Sequence, residues 1–201
     1  TIHDVLSNEI TGFEIVKQTP NSLILKEIAD SSDQSFEIIL RRIFLIMMSN
    51  SEELLNSLKE NKRNLDHIIS TDLTINKLCY YCIRILNKRG YKNYREIPMI
   101  YSLILTLENI GDVHKNIAKE IIEGKLKLKK EDLENLELSN ELICILETIF
   151  FKRDIKDIIL LVKKYEILKK RLTRYSSKMN LHINNLLLNI MTINNNLLMI
   201  I

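Results

Sequence analysis

Three features of this 201-residue chain predict an all-α fold. It holds only 4 glycines and 2 prolines, too few for the turns of an all-β protein. Apolar residues recur at three- to four-residue spacing over six long stretches, as on one face of a helix. A basic connector, Lys125 to Lys130, separates the first three stretches from the last three. The pattern predicts two antiparallel three-helix bundles behind a short lead that carries a helix and a β-hairpin.

In the lead, Ile2, Val5, Leu6 and Ile10 suit a short helix over residues 1–11, with Gly12 as its stop. Phe13 to Lys17 and Leu23 to Lys26 are β-rich runs around Thr19-Pro20-Asn21-Ser22, which reads as a hairpin. Asp30-Ser31-Ser32-Asp33 offers capping groups for a first long helix over about 34–60, with Phe36, Leu40, Ile43, Phe44, Met47 and Leu54 inward. A second helix covers about 62–88 and ends at Arg89-Gly90. Pro98 suits the first turn of a third, which runs to Ile122 and stops at Gly124. A fourth spans about 131–152, with Ser139 as a candidate break. Asp154 and Asp157 start a fifth that ends near Lys178, and Asn180 caps a sixth that runs to the end. The resulting division is 1–32 for the lead, 33–125 for the first unit and 126–201 for the second.

Composition narrows the function. A net charge of +3 is too small to argue for nucleic acid. The basic stretches Lys125 to Lys130 and Lys169 to Arg174 carry interleaved acids and read as solvated helix faces. No run of 18 apolar residues occurs, and no signal peptide opens the chain, so the expectation is a soluble cytoplasmic protein without membrane insertion. Cys79, Cys82 and Cys144 lack the partners of a zinc site and read as buried reduced thiols. No nucleophile–base–orienter set, phosphate-cradling glycine loop or H-E-x-x-H is present, so no enzyme is expected. The chain opens on Thr1 instead of Met, as a fragment or processed product would.

The most informative segment is Leu105 to Ala118 in the third helix. Glu108 and Asp112 lie four residues apart, so they project together from one face and repel unless a cation relieves them. On a helical wheel they fall at the edge of the buried stripe formed by Ile100, Leu103, Leu107, Ile110, Gly111, His114, Ile117, Ala118 and Ile121. Hard oxygen ligands at such an edge suit Mg²⁺, Mn²⁺ or iron. A second reading is a solvated acidic pair relieved by Lys115, three residues after Asp112. Gly111 costs about 1 kcal/mol in mid-helix relative to Ala, which points to close helix–helix approach. His114 faces inward and reads as a core or interface histidine.

The pattern L-E-x-I-G-D-x-x-x-N-I-A, which ends in Asn116-Ile117-Ala118, resembles the signature of the PhoU family of phosphate-uptake regulators. Leu6 to Lys26, Leu40 to Ile46, and Ile75 to Leu78 with Arg84 are similar to further stretches of archaeal PhoU-domain proteins, in order. The resemblance implies a helical bundle whose E-x-x-x-D carboxylates, here Glu108 and Asp112, line a divalent or iron-type metal. It implies contact with phosphate-transporter or sensor-kinase components. It also implies that DNA would be met only through an AbrB-type domain upstream of Thr1; the alternative role is a metal-independent dimerisation or adaptor module for such a regulator. Gly111, His114, Asn116 and Arg84 are the expected packing and partner positions. The chain departs from the pattern at Asn76, Val113 and Lys119, and Asn189 and Ile193 stand where the sixth helix should carry a matching acidic pair. Few aromatics and an apolar last helix suggest exposed aliphatic surface and a homodimer.

Overall fold

The computed structural model describes residues 13–19, 22–27, 33–60, 64–126, 129–174 and 176–198. The expected helix over 1–11, with Gly12, lies outside them. Strands β1 (Phe13–Thr19) and β2 (Ser22–Glu27) pair antiparallel, with a bulge between Ile15 and Lys17. Among the described residues six α-helices follow: α1 (Asp33–Lys59), α2 (Asp66–Arg89), α3 (Ile97–Ile122), α4 (Lys130–Lys152), α5 (Ile155–Leu172) and α6 (Lys178–Leu197). Among the described residues the fold is an all-α bundle with a small hairpin lead.

Local chemistry explains most of the boundaries. Gly90 closes α2 at φ 76°, a backbone angle that only glycine adopts freely, and its N–H donates to Leu86 O. A 3₁₀ turn over Tyr94–Glu96 leads into α3, where Pro98 lies in the first turn and needs no N–H partner. Asp154 caps α5 by accepting from Lys156 N at 2.9 Å. Four details differ from the sequence reading. Cys79 and Cys82 are buried as expected, but Cys144 is exposed. α4 runs unbroken through Ser139, whose hydroxyl donates to Leu136 O at 2.7 Å and so stays satisfied in the core. α5 ends at Leu172, six residues short of Lys178. The cap of α6 is Ser177, not Asn180; its Oγ accepts from Asn180 N at 2.9 Å and donates to the buried carboxylate of Asp132 at 2.7 Å.

α1, α2 and α3 pack on one another, as do α4, α5 and α6; α1 meets α4 and α3 meets α6, so the two sets share one hydrophobic core. An aromatic cluster forms the α1–α4 contact. Phe44, fully buried, stands 6.1 Å from Phe150 and 6.0 Å from Phe151 between ring centroids, and Arg41 lies over Phe151 at 3.8 Å. A buried polar seam lies beside it: Ser51 Oγ meets His114 Nε2 at 2.9 Å, and Asn140 Nδ2 donates to Ser51 O at 2.8 Å. At the other end Arg153 Nη2 donates to the buried Glu96 carboxylate at 2.7 Å, which holds that acid below the usual carboxylate range.

Candidate functional site

The acids of α3 face Asp72 of α2. Glu108 and Asp112 are both half-buried, at the edge of a stripe that contains all nine positions assigned to it by the wheel. The stripe is wider than expected, since Ile104, Thr106 and Val113 are buried too. α3 is touched by α1, α2 and α6, and a helix enclosed on several sides buries more than one narrow face.

Opposite Asp112, α2 presents Asp72, whose side chain is only 5% exposed. Lys115 joins the two helices. Its Nζ donates to Asp72 Oδ2 at 2.8 Å and also to Asp112 Oδ1. Burial pulls the ammonium's pKa down, but hydrogen bonds to the two carboxylates outweigh it, and the net shift is upward. The Glu108 pKa is raised as well, which for an acid disfavours the charged form: burial, then the charges of Asp112 and Asp72, push it up, with Lys115 offsetting part of the rise. One turn after Asp72, Asn76 turns a buried amide oxygen toward no hydrogen-bond partner, and Asp72 Oδ1 is likewise unpartnered.

Asp72 was not singled out by sequence reasoning. A signal existed: Asp72-x-x-x-Asn76 repeats the spacing of Glu108-x-x-x-Asp112, and Asp72 interrupts the otherwise apolar face that carries Ile68 and Ile75. What the sequence could not supply was the lysine from the neighbouring helix that makes a buried aspartate tolerable.

The remaining expected positions fall as follows. Gly111 is buried against α2, where an added Cβ would stand 3.2 Å from Ile75 Cδ1, so the two helices approach through it. His114 is fully buried and belongs to the Ser51 seam; burial lowers its pKa to about 4, and its Nδ1 has no hydrogen-bond partner. Arg84 lies with its guanidinium 5.0 Å from the centre of the Tyr81 ring. Asn116 is exposed on the outer side of α3. Of these, only Glu108 and Asp112 lie in the acidic cluster; Gly111 and His114 serve the packing around it.

The second set of helices lacks an equivalent. Asn189 donates its amide to Asn185 O at 3.0 Å on its own helix, and Ile193 is fully buried. Among the described residues, no three His, Cys, Asp or Glu side chains are grouped so that they could hold a metal ion. The oxygens of Asp72 and Asp112 already share an ammonium, so the residues present do not fit the metal implied by the E-x-x-x-D resemblance. The cluster can neutralise buried charge and fix the distance between α2 and α3.

No protein-family model matches the chain. No curated protein matches it in sequence either. Its structure is similar to the crystal structure of the phosphate transport system regulatory protein PhoU from Streptococcus pneumoniae, at a TM-score of 0.63 and 18% sequence identity. The likeness covers 83% of this chain and 93% of that one. At that identity it is a likeness of fold, and it spans nearly the whole of the pneumococcal protein.

Proposed function

We propose that the chain regulates phosphate uptake by binding other proteins through its helix faces, and that it catalyses no reaction. The observation that carries this reading is the fold shared with the pneumococcal PhoU over 93% of that chain. The regulatory role comes to this chain from that protein's description. A phosphate-transporter or sensor-kinase component is the partner in this reading. Among the described residues no helix is long and apolar enough to cross a membrane.

The deciding test is deletion of the gene in its own host, with phosphate uptake measured in phosphate-rich medium. Uptake should stay high in the deletion strain and fall when the chain is supplied again. Unchanged uptake in both strains would overturn the proposal.

A second copy is part of the proposal. α3 and α6 pack side by side and leave Tyr101, Leu105, Leu181 and Leu188 exposed, the last two by 64% and 56%. Aliphatic surface of this kind is commonly covered by a partner. Light scattering on the purified chain should give twice the 23.6 kDa of one copy, and Leu181→Glu/Leu188→Glu should return it to that mass. A parent that already scatters as a monomer removes the dimer from the reading.

A further inference from the structure

Lys115 stands where a bound cation would have to stand. A carboxylate buried as deeply as Asp72 persists in its charged form only beside a counter-charge. A metal between Asp72 of α2 and the acidic pair of α3 would answer that demand. So does an ammonium, provided the chain delivers it to the same place. Here α3 does so, because Lys115 follows Asp112 by three residues and shares its face, and from there it reaches Asp72 across the helix contact. Two cations within about 4 Å repel, so the lysine and a divalent ion exclude each other.

The second set of helices meets the problem differently. Asn189 and Ile193 carry no charge, so no counter-ion is needed there. One half supplies the cation and the other dispenses with the acids.

We infer that Lys115 is the built-in counter-ion of this acidic site, an intrachain ammonium in place of the divalent or iron-type metal that the E-x-x-x-D resemblance implies, so that the α2–α3 contact holds without metal. The inference rests on the geometry of Asp72, Asp112 and Lys115, and it stands or falls apart from any role in phosphate uptake.

The test is thermal unfolding of the full chain in EDTA and in millimolar Mn²⁺, beside Lys115→Ala and the triple variant Lys115→Ala/Asp72→Asn/Asp112→Asn. The parent should melt at the same temperature in both buffers and carry no stoichiometric metal by elemental analysis. Lys115→Ala should melt several degrees lower in EDTA and regain part of the loss in Mn²⁺, because Asp72 and Asp112 then lose the ammonium they share and a divalent ion can take its place. The triple variant should ignore the ion. Should Lys115→Ala fail to fold alone, refolding in Mn²⁺ decides: recovery supports the inference and failure overturns it. A parent stabilised by Mn²⁺ or isolated with bound metal overturns it, as does a Lys115→Ala protein that melts like the parent or that no Mn²⁺ improves.

Discussion

Phe44→Ala is expected to destabilise the protein by about 3–5 kcal/mol, the usual cost of emptying a buried phenylalanine site. The ring is fully buried between Phe150 and Phe151 at the contact of α1 with α4. Its removal opens a cavity where the first three helices meet the last three, and Phe150 and Phe151, already 5.0 Å apart and edge-on, have little freedom to collapse into it. The polar contact nearby cannot compensate. Arg41 reaches Glu147 at 3.0 Å, but its side chain is 52% exposed, and ion pairs of that kind contribute roughly 0–1 kcal/mol. Urea unfolding gives the answer, with Ile38→Ala, 67% exposed on the same helix, as the control. The control should move the midpoint little. Equal shifts for the two variants would mean that the aromatic cluster does not hold the halves together.

Acid should weaken the protein well above the range where carboxylates usually titrate. His114 is neutral in the folded chain, since burial has lowered its pKa from 6.5 to about 4. The unfolded chain therefore binds the extra proton first. Stability attached to His114 is complete above pH 6.5 and is lost as the pH falls from there toward 4, reaching about 2 kcal/mol by pH 5 and about 3 kcal/mol in all. Geometry gives the same sign. Nε2 is committed to Ser51, and a proton on the unpartnered Nδ1 would place a charged N–H in the core with nothing to receive it. His114→Gln keeps a hydrogen-bonding group near Ser51 and removes the titration. Denaturant unfolding at pH 7, 6 and 5 should show the parent losing ground to this variant at each step. Parallel curves would refute the assignment, whatever the variant's stability at pH 7.

The helices and their buried faces were legible because apolar periodicity and helix packing express the same geometry. α3 shows both the reach and the limit of that reading. Its nine-residue stripe was placed correctly, yet Ile104, Thr106 and Val113 lie outside it and are buried all the same, because the wheel assumes one partner and α3 has several. Helix ends were less legible. Ser177 and Asn180 both carry groups suited to capping, and what separates them is a contact from Asp132, 45 residues earlier. Of the acidic site, the sequence revealed Glu108 and Asp112 and named Lys115 as the cation that could relieve them. It did not reveal Asp72, since a short spacing within one helix says nothing about which side chain arrives from the next.

The order in which the helices meet bears on how the chain is made. α1, α2 and α3 are contiguous and satisfy one another, so residues 33–122 can condense on the ribosome while the second set is still being synthesised. Asp72 then has its lysine 43 residues later, before α4 exists. Phe44 does not have its partners, and its ring must wait for Phe150 and Phe151. A nascent chain of this design closes its electrostatics early and its aromatic joint late, and during that interval the exposed side of α1 is the surface a chaperone would have to shield.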